Sequence, residues 1–284
     1  MGANFIISGF SDEIDEQVTK QFAHLNKLGI AYFEPRGIDG ANIADLDDGQ
    51  VLELKQKMEQ YGIKASSIGS PIGKIKITDD FEAHLKKLKR VIRTAKLLGT
   101  KYIRVFSFFM PQDADYAPYK AEVLRRMKAM TALAEAEGMI LLHENEKEIY
   151  GDTAPRCLEI IEAVNSPALR CVFDPANFIQ CGQDTYPAAF ELLKPYIVYM
   201  HIKDALPDGE VVPAGYGAGN LEAILRALND NGYNGFLSLE PHLGSFTGLA
   251  NLENSDEMLK LTKSTPEKFT LAYESLKTIL ERMN

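Results

Sequence analysis

The stretch Tyr196-Ile-Val-Tyr-Met-His-Ile-Lys-Asp204 is an apolar, β-favouring run that ends in an imidazole, an ammonium and a carboxylate. A continuous run of Ile, Val, Tyr and Met is typical of a strand buried on both faces, as in a parallel sheet covered by helices. Three other apolar runs end in an acidic residue in the same way: Met139-Ile-Leu-Leu-His-Glu144, Leu169-Arg-Cys-Val-Phe-Asp174 and Gly235-Phe-Leu-Ser-Leu-Glu240. We therefore expect at least four buried parallel strands with polar side chains at their carboxyl ends.

Strand-like and helix-like segments alternate along the whole chain, at intervals of roughly 30 to 35 residues. Further strands are expected at 4–10, 30–34, 63–68 and 102–106. Helices are expected at about 14–28, 51–61, 79–98, 118–137, 155–164, 184–193, 220–229 and 265–283. Eight such alternations predict an α/β fold in which one (β/α)8 TIM barrel, a single domain, spans residues 1–284.

An open doubly wound sheet is the alternative fold for alternating strands and helices. That fold ordinarily carries a GxGxxG turn after its first strand, and the segment Gly9-Phe-Ser-Asp-Glu13 lacks this pattern. The first strand therefore favours the closed barrel.

Composition narrows the range of functions. The 284 residues carry a formal net charge of -9, which disfavours nucleic-acid binding and favours a small-molecule partner, with a homo-oligomer left open. No apolar run reaches the roughly 18 residues of a membrane span. The three cysteines form neither a CxxC pair nor an even disulfide set, which indicates a reducing compartment. We expect a soluble, cytoplasmic protein without a membrane partner.

In a closed barrel the carboxyl ends of all strands meet on one face, where barrel active sites lie. We therefore expect Glu144, Asp174, His201 and Glu240 to converge. Any one of them alone would be ordinary, because polar residues are common where a loop begins. Three carboxylates and one imidazole suit a single divalent ion, with Mn²⁺ as the first choice and Mg²⁺, Co²⁺ or Zn²⁺ as alternatives. Burying three neighbouring carboxylates without a cation would be costly.

Motifs at the strand ends carry a family resemblance over essentially the whole chain. They are Ser11-Asp-Glu-Ile14, Glu34-Pro-Arg-Gly37, Leu142-His-Glu-Asn145, Gly151-Asp-Thr153, Phe173-Asp-Pro-Ala-Asn177, His201-Ile-Lys-Asp204, Gly215-Tyr-Gly217 and Leu239-Glu-Pro241. The chain resembles the sugar phosphate isomerases and epimerases of the xylose-isomerase-like TIM barrels, a group with D-tagatose 3-epimerase and inosose-handling relatives.

The resemblance implies that Glu144, Asp174, His201 and Glu240 are metal ligands and that Glu144 and Glu240 also transfer protons. The implied activity is isomerisation or epimerisation of a keto-sugar or related polyol ketone through a metal-stabilised enediolate. Ketohexose epimerases of this group often have His three positions after the aspartate, where this chain has Asn177. The substrate is therefore left open, and we expect Asn177 to bind a substrate hydroxyl.

Other functions remain in competition with the isomerase. Dehydration of a keto-inositol begins with the same proton abstraction next to a metal-bound carbonyl. An endonuclease IV-like nuclease is disfavoured, because the chain has only five histidines and its net charge is negative. A non-catalytic sugar-binding barrel would need no metal.

Four cationic side chains near strand ends are further candidates for substrate binding: Lys203, Arg104, Lys74 and Arg36. The alternative interpretation of Lys203 is a salt bridge to Asp204 within the loop. For Arg104 it is a contact that supports the ligand carboxylates, and for Lys74 and Arg36 it is a position at the protein surface.

Three further features near the strand ends have structural interpretations. His143 should face away from Glu144, since successive side chains of a strand alternate. His242 is expected outside the site. The segment Gly215-Tyr-Gly-Ala-Gly219 is interpreted either as a phosphate nest or as a flexible loop.

Overall fold

The computed structural model describes residues 3–245 and 262–283. In this part of the chain eight parallel strands form the barrel wall: β1 Asn4–Gly9, β2 Tyr32–Phe33, β3 Ile68–Ile72, β4 Tyr102–Val105, β5 Ile140–Glu144, β6 Leu169–Phe173, β7 Ile197–Ile202 and β8 Asn234–Leu239. Seven of them pair in the order β1-β8-β7-β6-β5-β4-β3. Each strand is short and apolar, as expected for strands buried on both faces.

Strand β2 closes the barrel between β1 and β3. The backbone N–H of Glu34 donates to the carbonyl of Gly9 at 2.9 Å, and β2 pairs in parallel with the short segment Lys64–Ala65 that precedes β3. The N–H of Gly69 in turn donates to the carbonyl of Pro35 at 2.9 Å. These bonds link β1, β2 and β3 in sequence, so the predicted (β/α)8 barrel is confirmed.

Helices cover the outside of the barrel: α1 Val18–Leu28, α2 Asp48–Tyr61, α3 Phe81–Leu98, α4 Lys120–Ala136, α5 Ala154–Val164, α6 Pro175–Gln180, α7 Phe190–Leu193, α8 Leu221–Asp230 and α9 Pro266–Met283. Sequence signals at their ends behave as expected. Asp80 caps α3 by accepting from the N–H groups of Glu82 and Ala83, and Gly99 ends the same helix in the left-handed conformation. Among the described residues, no helix combines the length and the apolar character that crossing a membrane requires.

Three segments differ from the sequence-based expectation. The predicted loop 69–73 is largely strand β3, because the ladder to β4 continues through a register shift that accommodates Pro71. The predicted helix 184–193 is interrupted at Tyr186, whose backbone is extended with φ of -143° and ψ of 128°, and its regular α-helical part is the short α7. An additional helix, α6, starts directly after Asp174, which caps it with Pro175 in the first turn.

A small cluster of buried side chains occupies one part of the barrel interior below the strand ends. It contains Leu142, Val172 and Tyr199, which are buried in contact with one another. Each of them precedes a predicted ligand by two residues, and strand side chains two apart share a face. The barrel interior therefore directs Glu144, Asp174 and His201 toward the carboxyl-terminal opening.

Candidate metal centre at the carboxyl ends of the strands

The structure brings the four predicted ligands together. Glu144 ends β5, His201 lies near the end of β7, and Asp174 and Glu240 directly follow β6 and β8. All four are buried, and one ligand atom from each lies within 4.8 Å of those of the other three. The convergence follows from the parallel order of the strands, which places equivalent positions at one end of the barrel.

His201 stands at the centre of this group. Its Nδ1 lies 2.9 Å from Oε1 of Glu144 and 3.4 Å from Oε2 of Glu240. Its Nε2 points the other way, toward Oε2 of Glu34 at 3.3 Å. The imidazole therefore presents Nδ1, and not Nε2, to the two glutamates.

Buried cations surround the carboxylates. Nη1 of Arg104 lies 3.2 Å from Oε2 of Glu144 and 3.4 Å from Oε1 of Glu240. Nζ of Lys203 lies 3.0 Å from Oδ2 of Asp174 and 3.2 Å from Oε2 of Glu240. Within the described residues Lys203 forms no salt bridge with Asp204, the alternative that the sequence left open. Lys203 turns into the barrel instead.

The other two predicted cations are also buried side chains. Arg36 makes a bidentate contact with Asp12, at 2.8 and 2.9 Å, and its Nη1 lies 3.2 Å from Oε1 of Glu240. Nζ of Lys74 lies 3.0 Å from Oε2 of Glu146. The surface positions considered for Arg36 and Lys74 are therefore not observed. Arg36 belongs to the group around Glu240, whereas Lys74 pairs with a carboxylate outside the four ligands.

Burial and neighbouring charges set the ionisation of the acids. Burial raises the pKa of Asp174 to about 7, despite the ammonium of Lys203. Burial also acts to raise the pKa of Glu144, but the positive charges of His201 and Arg104 outweigh it and bring that pKa to about 2. Burial is outweighed again at Glu240, whose pKa lies well below its usual range because of Lys203, His242 and His201. Both glutamates are therefore ionised at neutral pH.

The residues fit a divalent cation. Oε2 of Glu144 and Oδ2 of Asp174 are buried, and within the part of the chain that the structure describes they accept no hydrogen bond and meet only the ion pairs given above. Buried carboxylate oxygens of this kind are stabilised by a cation. Three carboxylates and one imidazole offer hard oxygen donors and one borderline nitrogen, a set that suits Mn²⁺, Mg²⁺, Co²⁺ or Zn²⁺.

His242, which was expected to fall outside the set of ligands, is not one of the four described residues that could hold a metal ion, but its side chain contacts one of them. Its Nε2 lies 3.4 Å from Oε1 of Glu240, and its backbone N–H donates to Oε2 of Glu13 at 2.7 Å. The residue adopts a left-handed backbone with φ of 45°, which folds the loop back toward Glu240. In the sequence, His242 lies only two residues after Glu240, but the contact between the two side chains depends on this turn of the backbone.

Asp204 organises the loop that follows β7. Its carboxylate accepts hydrogen bonds from the backbone N–H groups of Gly215, Gly217 and Gly219 at 2.9, 3.1 and 2.8 Å. A side chain at Gly217 or Gly219 would clash with this carboxylate. The loop is therefore neither a phosphate nest nor a flexible connection, because a carboxylate of the protein fills its donors.

Asn177 contacts the ligands and does not stand apart from them. Its side-chain amide donates to the carbonyl of Asn145 at 2.9 Å and to Oε1 of Glu144 at 3.3 Å. Both amide hydrogens are therefore engaged with the protein, and Asn177 orients Glu144. His143 faces away from the ligands, as expected, with its ring packed against Gly151.

The family model of the xylose isomerase-like TIM barrel matches residues 22–265, and the chain belongs to this family. Two solved structures extend the likeness to almost the whole chain. The IOLI protein with a bound zinc atom has a TM-score of 0.75 and 20% identity over 100% of this chain and 99% of its own. A D-tagatose 3-epimerase-like protein has a TM-score of 0.72 and 20% identity over 100% and 98%.

Characterised relatives include enzymes of several activities. A 2-epi-5-epi-valiolone 7-phosphate 2-epimerase of Actinoplanes sp. is 28% identical over 182 residues, 63% of this chain and 65% of the epimerase. An inosose isomerase of Halalkalibacterium halodurans is 22% identical over 276 residues, 93% of this chain and 95% of the isomerase. A 3-dehydroshikimate dehydratase of Bacillus anthracis is 27% identical over 131 residues, 46% of each protein. The chain thus covers less than two thirds of the length of the epimerase and of the dehydratase.

Proposed function

We propose that this protein is a divalent-metal-dependent isomerase or epimerase that acts on a keto-sugar or related polyol ketone by carboxylate-mediated proton transfer. One observation carries the proposal. Glu144 at the end of β5 and Glu240 directly after β8 are buried, ionised carboxylates that both approach Nδ1 of His201, at 2.9 and 3.4 Å. The epimerase and isomerase activities of the relatives support this class.

Glu144, Asp174, His201 and Glu240 would hold the cation. When bound, a divalent ion supplies a positive charge that polarises the ketone and stabilises the negative charge left by deprotonation. One glutamate removes the proton from the carbon next to the ketone, and the other returns a proton from the opposite face, which inverts that carbon. Return of the proton to the neighbouring carbon gives isomerisation instead.

The surrounding side chains prepare these glutamates for the reaction. Arg104 contacts both of them and is itself buried, so its charge acts with little screening by water. Asn177 donates from its amide to Glu144, and Arg36 donates from its guanidinium to Glu240. Positions held by packing and by hydrogen bonds reduce the reorganisation that proton transfer requires.

A dehydratase is a second candidate, favoured by His242. Burial acts to lower the pKa of His242, but Glu240 and Glu13 outweigh burial and raise it to about 9, so the imidazole is protonated at neutral pH. It lies 3.4 Å from Oε1 of Glu240. After a glutamate removes the proton next to the ketone, His242 is placed to protonate a departing hydroxyl on the adjacent carbon, which leaves as water.

A solvent-exchange screen tests the proposed function. Metal-free and Mn²⁺-loaded protein is incubated in deuterated water with keto-sugars, inositol ketones and their phosphates, and proton NMR follows each substrate. We expect deuterium at a single carbon next to a ketone in the Mn²⁺-loaded samples, and a loss of one water in addition if the enzyme is a dehydratase.

Two variants show whether the exchange uses this site. Glu240→Gln should reduce exchange by roughly 10² or more, the usual effect of losing an acid-base group. Glu191→Gln is the matched control, because Glu191 lies at the surface and pairs with Lys194. Exchange that is equally fast in Glu240→Gln and in the wild type would contradict the proposal.

A further inference from the structure

A polar layer lies inside the barrel directly below the candidate metal centre. Barrel interiors are usually filled by branched apolar side chains. In the described chain, five polar side chains that are at most 1% exposed meet there instead: Ser8, Glu34, Ser66, Tyr199 and Ser238. Burying polar groups is unfavourable unless they bond to one another, so this layer needs a specific explanation.

Glu34 is the charged member of this layer. Its Oε2 accepts hydrogen bonds from the hydroxyl of Tyr199 at 2.9 Å and from that of Ser238 at 2.8 Å. The hydroxyl of Tyr199 also lies 2.8 Å from Oγ of Ser66. Among the described residues, His201 provides the one nitrogen within ion-pair distance of the Glu34 carboxylate, with Nε2 at 3.3 Å from Oε2. Nε2 makes no hydrogen bond within the described chain, so Glu34 is the acceptor nearest to its proton. The layer therefore places one carboxylate, that of Glu34, next to Nε2 of His201.

The register of the strands ties this carboxylate to the site above it. Tyr199 precedes His201 by two residues on β7, and Ser238 precedes Glu240 by two residues on β8, so each pair shares a strand face. Phe10 packs edge-on against the His201 ring, with centroids 5.2 Å apart, which further limits rotation of the ring. Glu34 is thereby fixed to two strands that each carry a predicted ligand.

From these contacts we propose that Glu34 is a positioning residue for His201: it accepts the Nε2 proton and so leaves Nδ1 to face Glu144, Glu240 and a bound cation. A cation bound at Nδ1 requires that nitrogen to carry no proton, and the neutral imidazole then keeps its one proton at Nε2, where a carboxylate can accept it. Metal-binding histidines commonly donate their other N–H to a carboxylate in this way. The inference rests on the metal centre of the proposed function and adds a residue that sequence motifs alone left without a role.

Metal titration with NMR of the histidine ring nitrogens tests this inference. Mn²⁺ binding is measured by calorimetry on metal-free protein, and Zn²⁺, which is diamagnetic, is used for spectra of ¹⁵N-histidine-labelled protein. The chain has five histidines, so each ring is assigned from single substitutions. In the wild type with Zn²⁺ we expect Nδ1 of His201 to bind the metal and Nε2 to keep a slowly exchanging proton.

Variants separate positioning from a general structural role. Glu34→Gln should weaken Mn²⁺ binding by roughly 10- to 100-fold and speed the exchange of the Nε2 proton. Tyr199→Phe is the control, because it removes one hydrogen bond to Glu34 and keeps the carboxylate, so Mn²⁺ affinity should change by less than roughly 5-fold on the same scale.

The outcomes distinguish this inference from the proposed function. A folded Glu34→Gln protein with wild-type Mn²⁺ affinity overturns the inference alone. Zinc bound to Nε2 of His201 in the wild type also overturns it, and this measurement needs no variant to fold. A wild-type protein that binds neither metal overturns the proposed function and the inference together.

Discussion

Nζ of Lys203 lies 3.0 Å from Oδ2 of Asp174, and both side chains are buried at the carboxyl ends of β7 and β6. The same ammonium lies 3.2 Å from Oε2 of Glu240, beyond the end of β8. One positive charge thus joins two of the four candidate ligands. It reduces the repulsion between carboxylates that burial would otherwise make severe.

Replacement of Lys203 should therefore affect stability in a metal-dependent way. We expect Lys203→Met to lower the free energy of unfolding of the metal-free protein by about 3 kcal/mol, because it leaves two buried carboxylates without their cation. Mn²⁺ should recover most of this loss by replacing the missing charge. Urea denaturation with and without Mn²⁺ measures both effects.

A surface lysine provides the control for Lys203. Lys57 pairs with Asp39 at 2.8 Å in an exposed position, so Lys57→Met should change the unfolding free energy by less than about 1 kcal/mol with or without metal. A loss in Lys203→Met that is the same in the presence and absence of Mn²⁺ would show that the ion does not bind next to this residue.

His84 on α3 makes stability depend on pH. Its Nε2 accepts a hydrogen bond from the N–H of Gly73 at 2.8 Å, and burial, aided by the charges of Lys87 and Arg126, lowers its pKa to about 4 from an ordinary value of 6.5. Between these values the unfolded chain binds a proton that the folded protein does not. The stabilisation is therefore complete above pH 6.5 and is lost as the pH falls toward 4.

The variant His84→Gln tests this pH dependence, because a glutamine amide retains an acceptor for Gly73 but does not titrate. We expect the wild type to lose on the order of 1 kcal/mol more than the variant between pH 6.5 and 4, allowing for partial screening by solvent. Chemical denaturation at several pH values measures the difference. Parallel stability curves for the two proteins would refute the assignment.

The two glutamates should divide the work of an epimerase. Glu144→Gln and Glu240→Gln should each block conversion, while one variant still exchanges the proton of one epimer with solvent and the other variant does the reverse. This follows from the proposed two-base mechanism, in which the carboxylates at the ends of two different strands would act on opposite faces of the substrate. NMR of each epimer in deuterated water measures the exchange. Loss of exchange from both epimers in both variants, with metal content retained, would indicate a single base and hence isomerisation or dehydration.

Much of the fold and the convergence of the four ligands was predictable from the sequence. The periodic spacing of apolar residues and the register of the parallel strands determine both. Apolar runs that end in Glu144, Asp174 and Glu240 mark strand ends, and a barrel places all strand ends on one face. One exception in the fold is the third strand, which was expected at 63–68 and lies at Ile68–Ile72, since Gly69 and Pro71 are typical of a turn. There the ladder to β4 outweighed the local preference.

The contacts around the ligands were less predictable, because they depend on loop backbones and on partners distant in sequence. His242 approaches Glu240 through a left-handed residue that no local pattern signals. Arg36 is held inside by Asp12, whose position depends on the loop after β1. Glu34 was visible as part of a motif, but its partners come from β7 and β8, far along the chain.

Location of a bound metal by anomalous diffraction tests the central claim most directly. Crystals of the metal-free protein soaked in Mn²⁺ should show one strong manganese peak among the carboxylates of Glu144, Asp174 and Glu240 and Nδ1 of His201, at near-full occupancy. The same peak should be absent from Asp174→Ala crystals treated alike. A manganese peak elsewhere, or no peak among these residues in the wild type, would contradict the account of this barrel as a metal-dependent enzyme.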